Sequence, residues 1–257
     1  MDKEEIGKAV RERYGNIAKQ GSSCCGPAKS CCGSTDSAQS VSRSIGYSEE
    51  ELHAVPEGAN MGLGCGNPTA LASLKEGESV LDLGSGAGFD CFLAAKRIGN
   101  EGKAIGVDMT PEMIDKAREN ARKGKYVNVE FRLGEIENLP VADNTADAII
   151  SNCVINLTPN KKKIFQEAFR VLKPKGRLMV SDIVLLKELP KEIKRVMDPT
   201  SCVTGAIPKG EYLETIKTAG FENVKISEEK SYASDFENDP DSMVQIVNKE
   251  TNEIEIR

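Results

Sequence analysis

Val80–Asp90 reads "VLDLGSGAGFD": an apolar strand, a turn of alternate glycines and the first residues of a helix. Gly84, Gly86 and Gly88 allow the backbone to turn sharply and to approach a ligand closely. N–H groups at the start of the following helix favour an anionic or polar group. Asp108 closes the next apolar run, where a carboxylate can accept the hydroxyls of a ribose.

Outward from this stretch, strands and helices alternate. The strands are "SVLDL" (79–83), "KAIGVD" (103–108), "VNVEFR" (127–132), "ADAIIS" (146–151) and "GRLMVSDI" (176–183). Helices are expected at about Phe89–Ile98, Pro111–Lys123 and Lys161–Leu172. Strand runs apolar on both faces and separated by helices indicate a parallel sheet covered on both sides, the doubly wound α/β class. A helix near Lys209–Ala219 leads to two further candidate strands, near Asn223–Glu228 and Met243–Asn248. Upstream, Lys3–Ala18 has the spacing of an amphipathic helix, with Ile6, Val10, Tyr14 and Ile17 on one face. Ser48 and Glu51 form a capping signal for a short helix, and Pro68 opens another.

The chain has 257 residues, a net charge of −6 and ordinary apolar content, which suits a globular protein and argues against nucleic acid as its main partner. "NKKKIF" (160–165) is expected to be the solvated start of a helix, His53 a surface residue, and "DFENDPD" (235–241) a solvated loop. The charged N-terminus is unlike a signal peptide, no run reaches membrane-spanning length, and a cytoplasmic location is expected.

Eight cysteines stand out in such a chain. "GSSCCGPAKSCCGS" (21–34) holds Cys24, Cys25, Cys31 and Cys32 among small, turn-forming residues. It lacks metal-knuckle spacing, and from Gly21 to about Tyr47 the composition is that of a flexible arm. Cys91 lies in the helix after the glycine turn and is expected in the core. Cys153 follows strand four at its carboxyl end, where open α/β sheets bind ligands. Cys65 sits between glycines, and Cys202 lies in the segment after strand five. Three thiols at one pocket rim suit a soft centre: zinc, or a thiophilic substrate such as trivalent arsenic.

The nucleotide could be NAD or S-adenosylmethionine. The dinucleotide fingerprint is G-x-G-x-x-G, whereas here the spacing is G-x-G-x-G after Asp82, which suits a ligand without a pyrophosphate bridge. Together with "GVDMTPEMIDKARE", "LGEIENLPVADNTADAIIS" and "EAFRVLKPKGRLMVSD", the pattern over roughly 71–248 resembles the seven-stranded class I S-adenosylmethionine-dependent methyltransferases. That resemblance implies a ribose held by Asp108 beside Met109, and an adenine flanked by Gly134, Glu135 and Ile136. It also implies that Asp82, Gly84, Ser85, Gly86, Gly88 and Asn152 face the methionine half and the transferable methyl.

"YSEEELHAVPEGANMGLGCGNP", "ISNCVINL" and "TSCVTGAIP" further resemble the arsenite methyltransferases. This resemblance implies arsenic ligation by Cys65, Cys153 and Cys202, and a first methylation that also uses Cys24 or Cys25. It implies arsenite or an arsenic–thiol conjugate as substrate, and thioredoxin or glutathione as reductant. The expected divisions are 1–47, a helix and Cys-rich arm; 48–183, the cofactor-binding α/β domain; and 184–257, an arsenic-binding, substrate-covering segment that completes the sheet. A methyltransferase for a quinone or other small organic acceptor, and a thiol-rich metal-binding module, are the alternatives.

Overall fold

A computed structural model describes residues 3–20, 35–188, 197–229 and 252–256. The arm cysteines Cys24, Cys25, Cys31 and Cys32, the candidate strand Met243–Asn248 and the acidic run 235–241 lie outside the described residues.

The centre is a sheet of β1 (Ser79–Leu83), β2 (Lys103–Asp108), β3 (Val129–Leu133), β4 (Ala146–Asn152) and β5 (Leu172–Asp182), parallel in the order β3-β2-β1-β4-β5. Beyond β5 lies β7 (Asn252–Ile256), antiparallel to it, with β6 (Lys225–Glu228) at the far edge. Strand β5 starts at Leu172, earlier than its apolar pattern suggests, with a register shift between Ala146 and Ala148 on β4.

The period-two alternation of the strands divides the core. Leu81, Leu83, Ile105, Val107, Ile149 and Leu178 face α7 (Lys161–Val171) and α8 (Lys209–Thr218), meeting Ile164, Phe165, Tyr212 and Ile216. Val80, Ala104, Ala148, Ile150 and Met179 face Ala94, Ala95 and Ile98 of α5 (Phe89–Ile98). α6 (Pro111–Lys123) adds Ile114 and Ala117, packed with Phe92 and Phe131. Each fully buried large apolar side chain contributes roughly 1.5–3 kcal/mol, so these two layers supply much of the stabilisation.

Ahead of the sheet come α1 (Lys3–Gln20), α2 (Thr35–Ser44), α3 (Glu49–His53) and α4 (Pro68–Leu71). α3 carries the expected capping box between Ser48 and Glu51, and His53 is exposed. α2 departs from the reading of 21–47 as an arm: its buried Ser42 donates to Asn60 Oδ1 at 2.9 Å, a tertiary contact that composition does not reveal. Lys161 also departs from the solvated helix start. It is buried, and its ammonium donates to the Gly205 carbonyl at 2.7 Å and the Thr158 carbonyl at 3.4 Å. No helix among the described residues is long and apolar enough to cross a membrane.

Candidate active site

β1 pairs with β2 on one side and β4 on the other, so the chain order switches beside β1. A crevice opens at the carboxyl ends of such strands. Gly84, Gly86, Asp108 and Met109 line it from β1 and β2, and Glu135, Ile136, Asn152 and Cys153 from β3 and β4. Val10 and Tyr14 of α1 also line it. α1 is tied across the crevice: Arg11 donates to Glu135 at 3.1 Å, and Arg13 to Asp198 at 2.6 Å and Thr200 at 2.8 Å.

The polar floor is built by the turn. Gly86 (φ +50°) donates its N–H to Asp108 Oδ2 at 2.9 Å, while Thr110 N–H donates to Oδ1 at 2.8 Å. Burial raises the Asp108 carboxyl above the usual range, and these bonds pull it back down. A side chain at Gly86 would stand in open space, so the bare backbone is left accessible.

Four further expected cofactor residues have buried or tightly packed surroundings. Asp82 is buried in β1 on the α5 side, where burial and the neighbouring Asp90 raise its carboxyl while the Cys91 thiol lowers it. Ser85 is buried with its hydroxyl turned towards Gly106. Gly88 (φ +94°) faces the core, where a Cβ would come 2.7 Å from Phe131 and 2.8 Å from Phe92. Gly134 faces Pro140 at 2.7 Å by the same measure. Cys91 is a core thiol, raised by burial.

Cys153 brings a sulfur to the crevice. Cys65 and Cys153 form a disulfide across 88 residues of sequence, with Cα atoms 5.6 Å apart. Cys153 (φ +58°) donates its N–H to the Ser181 carbonyl at 2.8 Å. Cys202 donates its thiol to the Cys153 carbonyl at 3.0 Å. A carboxylate oxygen of Asp182 lies within 4.8 Å of both disulfide sulfurs. Of the three cysteines singled out, Cys153 lines the crevice, Cys65 is joined to it, and Cys202 touches its main chain. Val154, Leu157 and Ile136 give the nearby wall an apolar character.

The supporting groups are less legible in sequence. Asp182 accepts from Asn156 at 2.8 Å, Ile183 N–H at 3.0 Å and Tyr212 at 2.9 Å. Burial raises its carboxyl to about 6 against the pull of Tyr212 and Lys161. Asn152 donates to Tyr47 at 2.9 Å and Asp90 at 3.2 Å, and Tyr47 donates to Asp90 at 2.7 Å. Position at the carboxyl end of β5 is a signal that could have marked Asp182. Nothing local marks Tyr47 or Lys161.

Residues 74–220 match the family model described as a methyltransferase domain. The chain is 48% identical over 253 residues to an arsenite methyltransferase of Halobacterium salinarum, covering 93% of this chain and 64% of that protein. It is 35% identical over 199 residues to the Homo sapiens arsenite methyltransferase, covering 74% of this chain and 51% of that protein. It thus spans about half to two thirds of the length of these curated relatives. Among solved structures it is similar to CrArsM, an arsenic(III) S-adenosylmethionine methyltransferase from Chlamydomonas reinhardtii. That match has a TM-score of 0.62 at 30% identity and covers 84% of this chain and 72% of the other. The geometry of a class I crevice and this set of relatives agree: the chain belongs to the arsenite methyltransferase family, built on the methyltransferase domain.

Proposed function

We propose that the protein transfers a methyl group from S-adenosylmethionine to thiol-bound trivalent arsenic, yielding methylated arsenicals and serving arsenic detoxification. The observation that carries this reading is that Cys153, which lines the crevice holding the Gly86–Asp108 turn, is bonded through its sulfur to Cys65 and contacted at its carbonyl by the Cys202 thiol. Three soft donors beside a nucleotide-type cradle suit a thiophilic methyl acceptor.

The cradle fits the cofactor. Gly86 leaves room where a side chain would intrude, and its N–H and those of Thr110 leave part of the roughly four acceptor positions of the Asp108 carboxylate for ribose hydroxyls. Met109 would lie beside the ribose, and Glu135 and Ile136 would flank the adenine. When bound, the cofactor supplies an electrophilic sulfonium methyl. Arsenic held by thiolates keeps a lone pair that can attack this methyl in line, so the chain's task is positioning in a water-poor site rather than proton abstraction.

Cys65 and Cys153 are in the oxidised form here, so arsenic entry requires their reduction to thiols. Methyl transfer takes arsenic from the trivalent to the pentavalent state. A pair of cysteine thiols returns it to the trivalent state by giving up two electrons and two protons and closing a disulfide. A dithiol or thiol reductant such as thioredoxin or glutathione then reopens that bond by exchange. Cys24 or Cys25 would join the first methylation. A cytoplasmic location is consistent with the need for reduced thiols.

The test is product speciation from reduced protein incubated with arsenite, S-adenosylmethionine and a thiol reductant. The expected result is methylated arsenicals, with cofactor turnover that depends on arsenite. Turnover indifferent to arsenite but stimulated by a quinone would overturn the reading in favour of an organic acceptor. Stoichiometric zinc with no methyl transfer would favour a metal-binding module.

A further inference from the structure

We propose that Asn152 is the positioning residue of the Cys65–Cys153 dithiol: its side-chain amide docks the Gly64–Gly66 loop on the end of β4 and thereby sets the encounter of the two sulfurs. This deepens the arsenic–thiol reading of the same site and rests on it for its role in turnover.

The two cysteines are separated by 88 residues, so chain connectivity alone holds them together weakly. Each must be placed by tertiary contacts. Cys153 is placed by its N–H on the Ser181 carbonyl of β5, at 2.8 Å. Cys65 is placed by Asn152, whose Oδ1 accepts the Cys65 N–H at 2.9 Å and whose Nδ2 donates to the Gly66 carbonyl at 2.8 Å. One amide thus grips the backbone on both sides of the Cys65 side chain. The amide cannot rotate freely. Nδ2 is also held by the Tyr47 hydroxyl at 2.9 Å, which in turn is fixed by Asp90 at 2.7 Å. Tyr47 and Asp90 are buried, so this support is shielded from water. The fit is close: a Cβ on Gly64 would come 2.6 Å from Asn152 Nδ2. Asn152 lines the crevice, but its polar atoms are engaged by the Cys65 loop and its support.

The test measures the dithiol itself, without arsenic. Protein is equilibrated in mixtures of reduced and oxidised dithiothreitol. Closing the Cys65–Cys153 bond passes two electrons and two protons from the thiols to the oxidised reagent, which becomes the dithiol. Peptide-resolved alkylation reads the oxidised fraction at Cys65 and Cys153. Asn152→Ala should lower the equilibrium constant for closure about tenfold, because two backbone groups flanking Cys65 lose their partner. Gly64→Ala, which forces the loop off the amide while leaving Asn152 in place, should shift it in the same direction. Cofactor affinity by calorimetry should change less than about threefold in Gly64→Ala. An unchanged closure constant in Asn152→Ala, with cofactor affinity down about tenfold, would assign Asn152 to the cofactor and overturn the inference. If Asn152→Ala fails to fold, Gly64→Ala decides, and no shift there overturns it. Failure of arsenite methylation in the wild-type protein strikes the functional reading and leaves this redox result standing. Methylation with unshifted redox equilibria in the variants strikes the inference alone.

Discussion

The thiol of Cys202 donates to the main-chain carbonyl of Cys153 at 3.0 Å, so the segment after β5 closes over the end of β4. The contact uses the Cys153 backbone and leaves its side chain to Cys65. Cys153→Ser therefore keeps the Cys202 contact and the cofactor cradle while removing a soft donor. Arsenite methylation should fall by about a hundredfold or more, with cofactor affinity within about threefold of wild type. Turnover near the wild-type rate would contradict a ligand role for Cys153.

Gly86 and Gly88 look alike in sequence and differ in the fold. Gly86 lines the crevice and a Cβ there would stand in open space, whereas one at Gly88 meets Phe131 and Phe92. Gly86→Val should weaken cofactor binding by about tenfold or more, with a stability cost of roughly 1–3 kcal/mol from its positive φ. Gly88→Ala should mainly destabilise the protein, by roughly 1–3 kcal/mol from overpacking in addition to backbone strain. Calorimetry paired with denaturant melts separates the two effects. The reverse pattern would mean the cradle is assigned to the wrong glycine.

Asp90 and Asp182 should each contribute a loss of stability as pH rises from about 4 through 6. Burial holds the carboxyls of Asp90 and Asp182 up at about 6, well above the ordinary aspartate range. Across that interval the native protein retains protons that the unfolded chain has released, and the penalty is complete above the native value. Asp182→Asn preserves the shape and removes one of these two groups, so its denaturation midpoint should vary less over this window. A variant profile as steep as wild type would show that Asp182 does not titrate there.

Lys161 anchors the Gly205 carbonyl, three residues beyond Cys202. Lys161→Met keeps the apolar stem and removes the donor. Amide exchange in residues 198–206 should accelerate several-fold, as local stability there is lost. Because Lys161 helps to lower the Asp182 carboxyl, that group should titrate at higher pH in the variant. Exchange rates equal to wild type would leave the lysine without an anchoring role.

Replacing Cys24, Cys25, Cys31 and Cys32 with serine should abolish methylation of arsenite but spare methylarsenite, if the arm serves only the first step. Speciation of products from the two substrates measures this directly. Equal loss on both substrates would contradict that division of labour.

Much of the scaffold is legible from local pattern. β1 and β2 fall on the runs "SVLDL" and "KAIGVD", and α5 and α6 begin and end where glycine, proline and the 3.6-residue period place them. The capping box of α3 is likewise local, since its hydrogen bonds join residues three apart. Cys153 could be singled out because it follows the carboxyl end of a strand, Cys65 because glycines flank it, and Cys202 because it lies in the segment after strand five. The burial of Lys161 and the α2 contact of Ser42 could not, because their partners, Gly205 and Asn60, lie far along the chain.

The sequence by itself determined the order of strands and helices, the glycine turn and the presence of a thiol at the end of β4. Hydrophobic period, caps and glycine conformation act over a few residues, and they survive any rearrangement of the rest. Only the tertiary structure decided which polar atoms face the crevice. It turned Asp82 and Gly88 towards the core, joined Cys65 to Cys153, and engaged the Asn152 amide with the Cys65 loop. These outcomes depend on how the loop carrying Cys65 and the helix carrying Asp90 meet at the carboxyl end of β4, and a hydrogen bond between residues 87 positions apart leaves no periodic trace in the chain.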